Sequence, residues 1–247
     1  MNVAVLGAGG GGLAVAYEWA SRGHRVSLYA QRAHDHHLAP VRERGGIQAE
    51  GVLEGFVRLE TVTCDIAEAL QGVEVEAAGI FQTTLQNGNP VIQPAVTLLD
   101  AVLIERTGGD FMFYEEGVTE AVGRVMQAVD DERLAIAQAL GVAIVAVPDL
   151  GVRQGYMIEP SYSTGYSTAL GFRGIKAQNE LHHRYLTEGV GYSMVVLTDL
   201  ARHVSVSALT MDAVIGIASV VAGEDFAAEH ARTMGLSGLT REQLAAL

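Results

Sequence analysis

Residues 2–30 read NVAVLGAGGGGLAVAYEWASRGHRVSLYA, and the glycine run inside that segment constrains the fold more than any other feature of the chain. Asn2–Leu6 is a short apolar β run, Leu13–Ser21 has the apolar spacing of a helix, Gly23 sits where such a helix stops, and Arg25–Ala30 is a second β run. A strand that turns through glycines into a helix and returns as a strand is a βαβ unit. Gly7, Gly9 and Gly12 fit the spacing G-x-G-x-x-G. One glycine allows the tight turn, one lets backbone approach a pyrophosphate, and one lets the helix pack closely on the strand. The helix amino terminus, where Gly10 lies, adds unpaired N–H groups and a positive dipole end. The segment therefore reads as a Rossmann-type unit with Gly7, Gly9, Gly10 and Gly12 as cofactor-binding residues.

The second β run continues as SLYAQRAHDHH, without the Asp or Glu that bonds an adenosine 2′-hydroxyl. Arg32 stands there instead, which favours NADP over NAD if it pairs with a 2′-phosphate; a solvent-facing loop arginine is the other reading. Adjacent histidines at 34, 36 and 37 lack the fixed spacing of a metal site, so this stretch reads as surface loop and no metal is expected.

A formal charge of −13 makes the surface repel nucleic acid and anionic lipid. An anionic ligand then needs a local cluster of cations, and these are almost all arginines, Lys176 being the only lysine. A single cysteine, Cys64, fits a reducing compartment, and Met1–Leu6 runs into the glycine turn without a signal-peptide pattern, so a cytoplasmic location is expected. Leu209 to Gly223 is too short to span a bilayer and contains Asp212; it reads as a buried helix.

The nucleotide domain runs short. Gly46–Glu50 and Phe56–Thr63 are β-like, Asp65–Leu70 is a short helix capped by Asp65, and Val73–Val75 is the start of a strand crossing to the other side of the sheet. Only Glu76–Gln86 then precedes the motif NGNP, whereas each further βα unit needs a crossover of at least about ten residues. Either only the adenine side of a nucleotide is bound, or a partner chain pairs with the exposed sheet edge; the second reading implies a homodimer.

From Asn87 onward the chain resembles the octopine/nopaline (opine) dehydrogenase family. The resemblance rests on GAGGGGLAVA and HRVSLYA, then NGNPVIQPAVTLL, FMFYEEGV, DDERLAIAQALG and FRGIKAQ…HHRYLTEGV. It implies NAD(P)H-dependent reductive joining of an amino acid and a 2-oxo acid, and a Rossmann domain followed by an all-helical domain with the active site in the cleft between them. The expected fold is a truncated Rossmann-type α/β domain, residues 1–85, and a helical substrate and dimerisation domain, residues 86–247. Apolar spacing agrees for the second part: Val118–Val129, Asp131–Leu140, Leu181–Val190, Val195–His203 and Leu209–Val221 read as helices, and aromatic Phe111–Tyr114 as core or cleft wall.

The resemblance also exposes two departures. The family motif carries histidine, as proton donor, where this chain has Gln93, and an aspartate partner where it has Gly189. An amide can orient a substrate but cannot exchange a proton near neutrality. The remaining catalytic candidates are Gln93 itself, Lys176 and Glu188, with His182 or His183 as a substitute imidazole. Asn89, Arg173, Arg184 and Tyr185 are the substrate-binding candidates, the arginines suiting a small molecule that carries a carboxylate. If Gly171–Gln178 is helical, Arg173 and Lys176 share one side, and Lys176 becomes a proton shuttle if burial lowers its pKa. Tyr156, Tyr162 and Tyr166 lie in a loop that reads as a lid or as a subunit contact. Three functions follow: an opine-dehydrogenase-like NAD(P)-dependent oxidoreductase; a non-redox derivative (isomerase, cyclase or condensing enzyme) in which cofactor use is lost; or a non-catalytic ligand-binding protein.

Overall fold

The computed structural model describes residues 1–51, 54–73, 79–230, 239–240 and 243. The chain divides into two compact units, Met1–Ala77 and Ala78–Leu247.

The first unit opens with β1 (Asn2–Leu6), α1 (Gly10–Ser21) and β2 (Arg25–Tyr29), followed by a 3-10 turn, Arg32–His37. It continues with α2 (Ala39–Arg44), β3 (Gly46–Ala49), β4 (Gly55–Arg58), β5 (Thr61–Thr63) and α3 (Ile66–Ala69). β1, β2 and β5 form a parallel sheet in the order β1-β2-β5, with Val3 opposite Val26 and Leu28 opposite Val62. β2 is the middle strand and buries three consecutive residues, Val26, Ser27 and Leu28, because a parallel strand is covered on both faces. Val5, Ala8, Ala16, Val26, Leu28, Ala30, Leu38 and Val41 make the core of this unit. The Asp65 side chain accepts from the N–H groups of Ala67 and Glu68 and caps α3, as expected from the sequence.

The run Phe56–Thr63 is not one strand. β4 pairs antiparallel with β3 in a separate two-stranded sheet, while β5 joins the parallel sheet. The switch falls at Leu59–Glu60, where the Glu60 N–H bonds the Val26 carbonyl at 2.8 Å and its carboxylate takes Arg25 at 2.6 Å. The strand expected at Val73–Val75 lies outside the described residues from position 74. Among the described residues the parallel sheet has three strands, and β1 is an edge. The fold is thus a truncated Rossmann-type α/β unit followed by helices.

The second unit contains α4 (Ile80–Gln86), α5 (Asn89–Leu99), α6 (Ala101–Thr107), α7 (Glu120–Leu140), α8 (Val147–Arg153) and α9 (Thr164–Ser167). After a 3-10 turn (Leu170–Phe172) come α10 (Arg184–Leu186), a π-helical segment (Thr187–Met194), α11 (Val195–His203), α12 (Leu209–Ala222) and α13 (Phe226–His230). Its core gathers Val91, Val96, Phe113, Met126, Ile136, Leu186, Val190, Met194, Leu200 and Met211, with α5 packed on α7, on α12 and on the π-helical segment.

Four local expectations change. The two helices expected over 118–140 are one, α7, capped by Thr119 and ended by left-handed Gly141. Asp130, which fell between the two expected helices, continues the helix and is buried against Arg133 one turn later. Leu181–Val190 is not a regular helix: only Arg184–Leu186 is α-helical before the chain widens into the π form. Gly171–Gln178 is not helical, since Arg173 is extended and Gly174 has φ 76°. Arg173 and Lys176 therefore do not share a helix face. Finally, α12 is buried on one face only: Met211, Val214, Ile215 and Ala218 point inward, while Leu209, Ile217 and Val220 are exposed. Among the described residues no helix is long and apolar enough to cross a membrane.

Candidate functional site

In the first unit the glycines build an open cradle. Gly7 has φ 122°, a conformation that side chains resist, and its N–H bonds the Tyr29 carbonyl at 2.8 Å, tying the turn to the end of β2. A Cβ on Gly12 would lie 1.8 Å from the Gly7 carbonyl oxygen, so only glycine lets α1 start this close to β1. A Cβ on Gly9, Gly10 or Gly11 would meet nothing within 4 Å. The Gly9 cap uses no side chain, which leaves the first N–H groups of α1 for a ligand. Above the strand ends lies a cleft of about 540 Å³ lined by Leu6, Gly7, Ala8, Gly9, Tyr29, Ala30, Gln31, His34 and His37. The turn is not plugged by side chains, and a dinucleotide pyrophosphate fits it. Arg32 is exposed and begins the 3-10 turn directly after Gln31.

In the second unit, α5 carries Asn89 and Gln93. Asn89 is the first residue of the helix and its N–H is held by the Asn87 side chain at 3.1 Å. It lines a pocket of about 180 Å³ together with Ile92, Tyr114, Tyr156, Tyr166 and Phe172. Gln93 is half-buried. Its neighbour Pro94 meets Gly189 of the π-helical segment, where an added Cβ would sit 3.1 Å from the Pro94 Cγ. Positions 93 and 189 thus flank one helix contact, where a side chain at 189 would require the Pro94 ring to give by a few tenths of an ångström.

The charged candidates are dispersed and exposed. Arg184 reaches Glu188 at 3.5 Å, one turn away, with both side chains 61% exposed. Lys176 pairs with Asp110 at 2.6 Å, and that carboxylate raises the lysine pKa; the burial that a proton shuttle requires is absent. Arg173 is exposed, and the following Gly174 N–H is held by the Glu115 carboxylate at 2.7 Å. Tyr185 packs its ring 4.9 Å from Phe113 and 4.6 Å from His183. The His183 Nδ1 accepts from the Tyr185 N–H and caps α10, and burial lowers its pKa, with Arg184 adding to the effect. His183 acts as a helix cap. His182 lies 3.7 Å from Glu224.

The Asp130–Arg133 pair and Asp100 had no sequence signal strong enough to single them out. Asp130 and Arg133 are fully buried and joined at 2.5 Å. Asp130 also accepts from Tyr162 at 2.6 Å and from the Val147 N–H at 2.8 Å, while Arg133 donates to the carbonyls of Leu85 and Val145. Only the i, i+3 spacing of opposite charges in an apolar helix hinted at them. The Tyr166 hydroxyl is buried without a partner, and burial pushes its pKa up. Asp100, between α5 and α6, has a buried Oδ2 without a partner and a pKa pushed up to about 6 by burial. The tyrosine loop is pinned inward by Tyr162 and Tyr166, leaving Tyr156 exposed. Phe111, Phe113 and Tyr114 are core residues. Among the described residues no group of three or more His, Cys, Asp or Glu could hold a metal ion.

Residues 76–222 match the family described as NAD/NADP octopine/nopaline dehydrogenase, alpha-helical domain. The opine dehydrogenase of Arthrobacter sp. (strain 1C) is 37% identical over 172 residues, 67% of this chain and 46% of that protein. The vitopine synthase of Allorhizobium ampelinum is 33% identical over 159 residues, 61% of this chain and 41% of that protein. The chain therefore spans less than half the length of these curated relatives. An octopine dehydrogenase solved with NADH and agmatine superimposes with a TM-score of 0.63 at 12% identity, over 99% of this chain and 98% of that one, which is a likeness of fold. With its family match extending over more than half of its length, the chain belongs to the octopine/nopaline dehydrogenase family.

Proposed function

We propose that this protein is an opine-dehydrogenase-type oxidoreductase that binds NADP(H), or NAD(H), through Gly7, Gly9, Gly10, Gly12 and Arg32. Its substrate is the imine formed between an amino-acid amine and a 2-oxo acid. The open glycine cradle carries the reading: a close approach that only Gly12 permits, a left-handed Gly7 and a clear cleft have a use if a diphosphate lies there. NADH is named as bound in three octopine dehydrogenase structures with this fold, which supports a nicotinamide cofactor.

When bound, the nicotinamide supplies a hydride. Gln93 cannot donate a proton, so the substrate must bring its own: a protonated imine becomes an amine when its carbon accepts hydride, whereas a carbonyl would become an alkoxide and need a donor. The amide at 93 then orients the imine by hydrogen bonds, with Asn89 and Tyr185 completing the polar contacts. Arg173 and Arg184 hold substrate carboxylates, Lys176 contributes a fixed positive charge, and Glu188 takes a proton from the amino-acid ammonium so that the free amine can attack the 2-oxo acid, returning it to the oxygen that leaves as water when the imine forms. The unpaired side of β1 among the described residues supports a homodimer in which a partner extends the sheet.

A second reading, a non-redox derivative or ligand-binding protein of the same family, is favoured by Gln93 and Gly189 together, because neither position supplies a group that exchanges a proton near neutrality. Incubation with NADPH, a 2-oxo acid and a panel of amino acids, following nicotinamide absorbance and the secondary amine product, separates the two. Oxidation matched by product supports the first; cofactor binding without turnover supports the second.

A further inference from the structure

The histidine-rich turn, which the sequence offered as plain surface, forms one wall of the nucleotide cleft. His34 and His37 line it beside Gly7, Gly9, Tyr29, Ala30 and Gln31. In a βαβ nucleotide unit the diphosphate sits at the glycine turn and the adenosine ribose lies over the end of the second strand, about 20 residues after the glycines. Here that end is Tyr29, and the next wall outward is the turn Arg32–His37.

Among the described residues, no Asp or Glu lines the cleft. The turn has one carboxylate, Asp35, and it is engaged elsewhere: the Cys64 thiol donates to it at 3.1 Å and Arg42 at 2.6 Å, and both hold it ionised below the usual carboxylate range. The three imidazoles are exposed and close together, with ring centroids 4.1 Å apart for His36 and His37 and 6.2 Å from each of these to His34. Arg32 opens the same turn and is exposed as well. In a protein of formal charge −13, counted with neutral histidines, this is a local concentration of N–H donors beside the fixed positive charge of Arg32, and an unsubstituted ribose hydroxyl gives that charge nothing to neutralise.

We propose that His34 and His37, with Arg32, recognise a 2′-phosphate on the adenosine ribose, so that the cleft selects NADP(H) over NAD(H). The imidazole N–H groups donate to the phosphate oxygens and the guanidinium adds a bidentate contact. His36 lines a neighbouring surface depression with Arg44, Ile47 and Gln48 and has no place in the nucleotide cleft. The inference rests on the cleft being a nucleotide site, as argued above.

The test is calorimetric titration of the full chain with NADPH and with NADH, repeated for His34→Gln/His37→Gln and for His36→Gln. These side chains are exposed, so circular dichroism should show an unchanged fold. The wild type should prefer NADPH by about tenfold or more, as each charge-assisted contact is worth roughly that factor. The double variant should bring the two cofactors within about threefold by weakening NADPH alone, and His36→Gln should keep the preference. Equal affinities in the wild type, or a double variant that weakens both cofactors alike, would overturn the assignment while leaving the cleft a nucleotide site. Binding of neither cofactor would remove the nucleotide reading itself, and the assignment with it.

Discussion

Asp130→Ala should be among the most destabilising changes in the helical unit. Asp130 and Arg133 are both fully buried, and the carboxylate answers three donors: Arg133 at 2.5 Å, Tyr162 at 2.6 Å and the Val147 N–H at 2.8 Å. Removing it leaves a guanidinium without its counter-charge, bonded only to the carbonyls of Leu85 and Val145, and two more donors without an acceptor. An uncompensated buried charge costs about 3–5 kcal/mol. That is a large part of the roughly 5–15 kcal/mol that holds a domain together. Arg133→Met fills similar volume with apolar atoms, and beside Asp130→Ala it removes the stranded charge. The double variant should therefore lose at least about 1 kcal/mol less than the sum of the two single losses. Urea unfolding of all four proteins, fitted for midpoint and slope, gives the cycle. An Asp130→Ala loss below about 1 kcal/mol, or strictly additive losses, would show that water or rearranged side chains reach this pair and that the network does not hold the unit as described.

Asp100 gives a pH dependence of known sign. Burial pushes its folded pKa up to about 6, above the ordinary carboxylate range, so the folded state binds the proton more tightly. Stability falls as pH rises from about 4 to about 6, and Asp100→Asn should raise thermal stability at pH 7.5, by about 1–2 kcal/mol after discounting for partial exposure, while changing little at pH 4. Gly12→Ala puts a methyl into the Gly7 carbonyl and should reduce cofactor affinity at least about tenfold, measured by fluorescence titration; retained affinity would mean the turn is not the phosphate site. Gln93→His should raise direct reduction of the 2-oxo acid carbonyl, the reaction that needs a proton donor, by about 10²-fold if position 93 lies at the reacting atoms, read as initial rate without amino acid at saturating cofactor. An unchanged rate would place the chemistry elsewhere.

The βαβ unit was legible because its signals are local and redundant: the glycine spacing, the alternation of apolar runs, and caps such as Asp65 and Gly141. What escaped depends on residues distant in sequence. The helix of 118–140 was split at Asp130 because two buried partners of that residue, Tyr162 and the Val147 N–H, are many residues away. The run Phe56–Thr63 carries one β pattern, yet its halves serve different sheets, a choice made by pairing to β3 and β2. The π-helical segment, in which Gly189 lies against Pro94 of α5, carries no signal in helix propensity. At the candidate site, residue types were readable but their settings were not: Lys176 and Glu188 are exposed in ion pairs, and His183 is spent on a helix cap. The apolar spacing of α12 indicated an inward face, but could not tell that the opposite face, with Ile217 and Val220, would be exposed.

The account depends on the glycine turn over β1 and β2 holding a nicotinamide dinucleotide. Titrating the folded chain with NADPH and following nicotinamide fluorescence addresses this directly, with Arg32→Ala alongside. Saturable binding with a dissociation constant in the micromolar range or below, weakened by Arg32→Ala, is the expected result. A folded protein that gives no saturable signal with NADPH or NADH would contradict the account.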